Sequence, residues 1–496
     1  MSSWPTAENV GCYYIDPDHA ASTDTSNTYG YPNKPRKTWA ETTYSAGSYI
    51  SIQSGTHNGG GQIISTFNGD ANNIVWIVGG GTASITGGFI VKGAYVIIDN
   101  LDFAYPGMVL FRPHTSSTLD HAVVRNSRFV GDGADHGAAN VISIYGGTDT
   151  SHHDFVIYNN TISEYGDNEA VSENDFHGIK PTSYAYNVWI LNNTVYNLGG
   201  DSVQVGDATI DDAVRPEYVY IGGNTFYGNH ENGVDIKEAN YVFISENIFY
   251  NTVAPLTIIH NAAADIWIIN NIFRDSSNGV FSTSASNLYV IGNVFYNLNH
   301  TGIFNATDSY SYDGRAIGAY STTNVSIINN TIYDADVGVQ LRAVNASANK
   351  VINNIISAKA ESTGYEIYVA SEEDDVDLDY NVLYDSSGSV DIGWGGSTQR
   401  TLAYIQALSE CVNCIESNPL LNNPIVDFSL NFTSPAKNSG TVSDIYATYL
   451  STYSLSIAID ITDKTRPVDS WDIGAYEYES VSGVITIGTG GSFTLR

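Results

Sequence analysis

Between Phe103 and Leu383 the chain repeats one phrase: an apolar, β-branched run, Asn or Gly, a polar pair, then one large apolar residue. Instances are "VWILNNTV", "VYIGGNTF", "VFISENIF", "IWIINNIF", "LYVIGNVF" and "VSIINNTI". The closing residues are Phe103, Phe129, Ile162, Val195, Phe226, Phe249, Phe273, Phe295, Ile332, Ile356 and Leu383, spaced by 26, 33, 33, 31, 23, 24, 22, 37, 24 and 27. A period of about 20 to 50 residues marks a repeat architecture, and β-branched runs too short for helical periodicity select strands. The economical solution is all-β: a single-stranded right-handed parallel β-helix, a solenoid with three short strands per rung. Inward residues stack on those of the next rung, and Asn or Gly fills the turns. The shortest rungs have 22 to 24 residues. Longer rungs therefore carry insertions, which is where such a scaffold keeps its sites.

The phrase also divides the chain. Residues 1–60 lack it and read as a polar entry segment, 61–400 as the β-helix, 401–480 as a C-terminal cap and 481–496 as a tail. A solenoid must cover its last apolar rung, so a distinct cap is expected physically. The stretches "SNPLLNNPIVDFSLNFTSPAKNSG" and "PVDSWDIGAYEY" resemble, over about 60 residues, the cap that closes many secreted bacterial β-helix proteins.

Charge narrows the partners. With 20 basic and 53 acidic residues the net charge is −33, which disfavours nucleic acid and anionic membrane, since both need a positive footprint. Cys411 and Cys414 form a lone "CVNC" with no further zinc ligands nearby, and Cys12 stands apart, so a local disulfide or two idle thiols is expected there. No run of 18 apolar residues occurs, and "MSSWPTAENVG" lacks the basic start and apolar core of a signal peptide. An extracellular protein whose signal has been removed, or a virion-associated one exported without a signal, fits this start.

Candidate chemistry concentrates in one region. Three consecutive long rungs run from Phe129 to Phe226, and eight of the eleven histidines lie between His114 and His260. Aligning "HGIKPTS", "DSVQVGD", "NGVDIKE", "LTIIHNA", "NGVFSTS" and "TGIFNAT" puts Ile179, Val203, Val234, Ile258, Val280 and Ile303 inward. The next residues, Lys180, Gln204, Asp235, Ile259, Phe281 and Phe304, then face solvent. Two residues on, the outward column includes Lys237 and, in earlier rungs, Arg112 and Tyr145. Rungs are about 4.8 Å apart, so neighbours in this strip can touch one ligand together. The plainer account is a strip of solvated salt bridges, Lys180 with Asp235 for example. On a chain this acidic, however, cations gathered in one groove point to an anionic ligand.

Within "SENDFHGIKP", Glu173, Asp175, His177 and Lys180 fall in eight residues. Two carboxylates one residue apart can reach a hard cation such as Ca²⁺, with Asn140 or Ser143 of the preceding rung adding oxygen. A lysine beside a cation more readily loses its proton and can abstract one next to a carboxylate. The pattern Glu-x-Asp-x4-Lys resembles the Glu-x-Glu-x4-Lys of the β-helix polysaccharide lyases that include chondroitinase B and many alginate lyases. That resemblance implies Glu173 and Asp175 as Ca²⁺ ligands and Lys180 as the base. Those lyases place an Arg followed by His one rung later, where this chain has Gln204. Lys237, Tyr145 or His177 is left to complete proton transfer. The phrases "GDSVQVG" and "ENGVDIK" further resemble a group of bacterial β-helix proteins, which implies a shared site around Asp201, Gln204, Asp235 and Lys237. Asp201, Gln204 and Asp235, with Arg112 of the outward strip and His260, are the candidate substrate contacts.

Three functions compete on this evidence. The first is a depolymerase that cleaves a uronate-containing, acidic polysaccharide by metal-assisted β-elimination. The second is a glycoside hydrolase, which needs two carboxylates flanking the cleaved bond; Asp201, Asp207, Asp235 and Glu238 supply candidates. The third is a glycan-binding tailspike or adhesin, which would be a homotrimer with an apolar outward column such as Ile259, Phe281 and Phe304.

Overall fold

The structure is a computed structural model. It describes residues 6–39, 43–57, 63–80, 83–111, 120–145, 152–170, 174–207, 215–259, 263–299, 314–344, 349–358, 364–371, 375–386, 388–396, 399–478, 484–487 and 491–494.

The repeated phrase explains the winding. Its first polar position turns the chain in the left-handed region: Asn159, Asn192, Asn270, Asn329 and Asn353 have φ of 53°, 54°, 53°, 55° and 59°, and Gly223 and Gly292 take the same place at 64° and 69°. Asn and Gly are the residues that tolerate this conformation most cheaply. The second polar position is a buried asparagine whose carbonyl oxygen accepts the backbone N–H of its counterpart one rung earlier. Asn193 accepts from Asn160 at 2.9 Å, Asn224 from Asn193 at 2.8 Å and Asn247 from Asn224 at 2.9 Å. The ladder continues through Asn271, Asn293, Asn330, Asn354 and Asn381. Each side-chain N–H₂ donates in turn to a carbonyl such as Ile190 O or Ile221 O. Turn carbonyls and amides that would be orphaned inside the solenoid are thereby satisfied.

After the turn, the closing apolar residue enters a 14-stranded, all-parallel sheet, in which Phe226, Phe249, Phe273 and Phe295 lie in register. Their ring centroids are 5.2, 4.8 and 4.7 Å apart, the first pair tilted and the other two stacked. A full rung has three parallel strands, as in Tyr186–Leu191, Thr194–Tyr196 and Val203–Val205. The next rung repeats them as Glu217–Gly222, Thr225–Tyr227 and Asn232–Ile236. The ladder begins early, with Cys12–Ile15 pairing in parallel with Tyr49–Ile52.

Two helices finish the molecule in different ways. Helix α1 (Leu402–Ala407), N-capped by Thr401, buries Leu402 and Ile405 in the solenoid core together with Cys411 and Cys414. Those two cysteines form a disulfide, and Asn381, the last ladder asparagine, points its amide at Cys414. Helix α2 (Asp444–Tyr453) instead lies along the outside, packing Tyr446 and Tyr449 on Trp267, Ile269, Ile291, Ile328 and Ile352. The "SPAKNSG" and "DIGAYEY" stretches meet beside it: Ile473 N–H donates to Ala436 O, and Asn438 N–H to Asp472. Among the described residues no helix is long and apolar enough to cross a membrane.

Candidate functional site

Four consecutive strands of one sheet carry the outward strip: β1 (Phe176–Pro181), β2 (Val203–Val205), β3 (Asn232–Ile236) and β4 (Ala254–Ile258). Ile179 pairs with Val203, Val203 with Val234, and Val234 with Leu256. The outward column is therefore Lys180, Gln204, Asp235, Thr257 and Phe281. Thr257 replaces the expected Ile259, which lies beyond the strand and is buried. Leu256 and Ile258 both point inward, so residue type cannot choose between them. The shorter turn after Tyr250 does. Val280 next pairs with Ile317, not Ile303, bringing Gly318 level with Phe281. The proposed apolar column of Ile259, Phe281 and Phe304 is thus not formed: Phe281 is flanked by Thr257 and Gly318, and Phe304 lies outside the described residues.

Beside this column is a fully buried polar cluster. Asp201, whose residue is 0% exposed, accepts from the backbone N–H of Asn232 at 3.1 Å and from its side-chain amide at 2.7 Å, both through Oδ1. Its Oδ2 faces Gln204 Nε2 at 3.4 Å and His177 Nδ1 at 3.2 Å. Burial works against the Asp201 charge, but the hydrogen bond from His177 and the nearby cations outweigh it and hold the carboxyl below its ordinary range. His177 Nδ1 is also 3.1 Å from the Asp201 backbone nitrogen. One ring nitrogen cannot accept from that amide and donate to Oδ2 together, so the ring's proton position selects between them. In either state Asp201 sets the ring's orientation, and Nε2 is left facing the exposed Asp175 carboxylate at 3.8 Å.

One rung on, Asp235 is clamped between Lys237 Nζ at 2.7 Å and the Thr257 hydroxyl, which donates at 2.9 Å. Burial and the neighbouring Asp201 push its carboxyl up to about 6, against the pull of Lys237. For Lys237, burial alone would favour loss of the proton, but Asp235, then Asp201 and Glu231, raise it above the ordinary lysine range. Lys237 is thus a committed ammonium. Lys180 differs: it is half-buried on β1, level with Ser143, and among the described residues it makes no ion pair. The salt bridge expected between Lys180 and Asp235 is absent: Asp235 lies two rungs on from Lys180 and is held instead by Lys237, just past the end of its own strand.

The other expected residues fall as follows. Asn140 pairs with His177 across the rung, and the neighbouring Ala139 amide donates to Asp175 O. The backbone thus brings Asp175 and Asn140 to one edge of the rung, but two such residues fall short of the six or more oxygens Ca²⁺ takes. Tyr145 is half exposed at the end of its strand. Three rungs separate it from Lys237, about 14 Å at the rung spacing, so those two do not act on one atom. Glu173, Arg112 and His260 lie outside the described residues. Asn232 and Thr257 are the site residues that sequence reasoning passed over. Asn232 sits inside the quoted "ENGVDIK", and Thr257 was hidden by the two-residue register ambiguity.

A family model described as a right-handed β-helix region matches residues 209–312. The solenoid is a right-handed parallel β-helix. Among curated proteins none matches. Solved structures that share the architecture include a mannuronic-acid-specific polysaccharide family 6 lyase from human gut microbiota, 12% identical, covering 74% of this chain and 88% of that one at a TM-score of 0.44. An alginate lyase in complex with G6 is 14% identical, with coverages of 72% and 86% and a TM-score of 0.46. A mannuronan C-5 epimerase A-module of Azotobacter vinelandii is 14% identical, with 75%, 91% and 0.39. Superpositions this loose say nothing about chemistry.

Proposed function

We propose that this chain is a polysaccharide-acting enzyme that cleaves a uronate-containing glycan by β-elimination. The observation that carries this reading is the contrast between two lysines in one strip: Lys237 is committed to Asp235, while Lys180 has no acidic partner among the described residues and shares its strand with His177, whose partner Asp201 lies in the next rung. Lys180 takes the C5 proton beside the uronate carboxylate. The C5–H electrons form the C4=C5 double bond, the C4–O bond breaks, and the leaving oxygen accepts the proton carried on Nε2 of His177, which Asp201 orients. Lys237 and Gln204 bind the substrate's anionic and hydroxyl groups. A divalent cation held at Asp175 and Asn140, joined by Glu173, would neutralise the uronate carboxylate and so acidify C5–H.

Hydrolysis has one observation in its favour: Asp201 is held low and Asp235 is pushed up, and carboxyls driven apart in this way serve as base and acid in glycosidases. Both, however, have each carboxylate oxygen engaged by a neighbouring side chain, whereas Nε2 of His177 has only the 3.8 Å approach of Asp175, which fits the two acids to scaffolding better than to direct attack. The test is incubation with alginate, pectate, chondroitin and hyaluronan, following ultraviolet absorbance of unsaturated ends with and without chelator. Absorbance should rise, and Lys180→Ala and His177→Ala should each lower kcat by about 100-fold or more. New reducing ends without absorbance would transfer the chemistry to Asp201 and Asp235. Neither signal on any glycan would leave a binding protein.

A further inference from the structure

A second cluster sits on a different ladder of parallel strands, the one that runs through Asp120–Arg125, His153–Tyr158 and Tyr186–Leu191, and takes no part in the site above. His121, on strand Asp120–Arg125, and His153 and Asp154, on the adjacent strand His153–Tyr158, bring three ligand atoms within 4.8 Å of one another. His121 Nε2 is 3.4 Å from Asp154 Oδ2, and His153 Nδ1 is 2.6 Å from the same oxygen. Bonds of about 2.0–2.1 Å to a tetrahedral ion imply ligand–ligand edges of about 3.4 Å. The first distance already matches, and the second opens by under 1 Å if an ion replaces the proton between the two groups.

The surroundings also suit an ion. His121 and Asp154 are in the left-handed region, with φ of 50° and 65°, which turns both out of the strand ladder toward each other. Tyr95 stacks on the His121 ring at 4.2 Å, and Asn187 of the following rung donates to Asp154 Oδ1 at 3.0 Å, so that Oδ2 alone faces the two imidazoles. Behind the ring, His121 Nδ1 lies 3.4 Å from Asp120 Oδ1, and both atoms are buried without a hydrogen-bond partner. Metal-binding histidines commonly give their second N–H to a carboxylate, and that fixes the tautomer that offers Nε2 to the ion. In later rungs the same left-handed column holds Tyr218, Tyr241 and Asp265, so the His–His–Asp set is local to these two rungs.

We infer that His121, His153 and Asp154 form a binding site for a borderline divalent cation of the Zn²⁺ class that staples two adjacent rungs. Two imidazoles and one carboxylate suit such an ion and not Ca²⁺, which takes oxygen ligands. A water would fill the fourth position.

Calorimetric titration of the full chain with Zn²⁺ alone, at neutral pH, tests this. Wild type should bind one Zn²⁺ with a rise in Tm, and Co²⁺ in its place should give the visible absorption of a tetrahedral ion. His121→Ala and His153→Gln should each abolish that binding, and Asp120→Asn should weaken it about 10- to 100-fold. His177→Ala should leave it unchanged, which separates this site from the His177–Asp201 cluster and from the glycan chemistry. Circular dichroism of each variant guards against misfolding. No binding by wild type, or binding lost in His177→Ala but kept in His121→Ala and His153→Gln, would overturn the assignment.

Discussion

Asn224 shows what a single residue does in this fold. Its side chain accepts from the Asn193 amide and donates to Ile190 O and Asn247 Oδ1, all buried. Asn224→Ala strands those partners without water, and a buried group left unsatisfied costs about 1–3 kcal/mol. Urea unfolding should show a loss of that size, with an unchanged m-value. Glu366 gives a pH test at the same scale. Burial, helped by Asp385 and Asp391 and opposed by the Asp391 N–H, pushes its carboxyl up to about 7. Because this lies above the value of an unfolded glutamate, about 4.3, the folded state holds the proton more tightly. Its stabilising contribution is complete below about pH 4 and is lost as pH rises through about 7. Glu366→Gln keeps an acceptor for that N–H and cannot ionise, so the Tm of wild type should fall relative to the variant between pH 5 and 8.

At the scale of elements, the outer surface of the strands is finished by the C-terminal segment. Trp267 stacks on Tyr289 at 3.7 Å, and α2 lays Tyr449 edge-on against Trp267 at 4.7 Å. Trp189, three rungs earlier in the same column, has no such cover and is 45% exposed. Tyr449→Ala removes a buried ring from this contact and should cost about 3 kcal/mol. Trp267 fluorescence should report the change as a loosened environment, whereas an unmoved spectrum would mean that the helix does not depend on this ring. The buried Arg466–Glu477 pair ties the last stretches together at 2.6 Å. Arg466→Ala leaves Glu477 buried and unpaired, which typically costs about 3–5 kcal/mol, and is expected to release the outer cover before the solenoid unfolds. Limited proteolysis would detect that order.

The whole molecule carries a net charge of −33, and a polyuronate is itself a polyanion. Encounter is therefore opposed by the protein's overall field, while Lys180 and Lys237 act only at close range. Added salt shortens the Debye length to about 8 Å near 0.15 M and screens the far field first. With the proposed substrate, kcat/KM should rise with NaCl up to about that concentration, measured as initial rates at fixed divalent cation. A steady fall from the lowest salt would show that the local cations already dominate approach.

The sequence alone determined the winding of the chain. Phase, turn and ladder are each local: a left-handed Asn or Gly, a buried Asn beside it and an apolar residue next in line recur at rung length, and each asparagine needs only its neighbour above and below. That Lys180, Gln204 and Asp235 share one strand face was legible for the same reason, since a strand's period of two assigns faces without knowledge of partners; that Gln204 and Asp235 are buried on that face, and do not face solvent as expected, was not. Tertiary structure decided what that period cannot. Leu256 and Ile258 are equivalent by face, and only the turn before them selects Thr257 as the neighbour of Asp235. Lys237 and Lys180 look alike in sequence, yet one is held by Asp235 and the other has no such partner among the described residues. The contacts of His177 with Asp201, and of His121 with Asp154, join residues 24 and 33 positions apart. Such contacts depend on how much chain each inserted rung spends before returning, a length that no local pattern encodes.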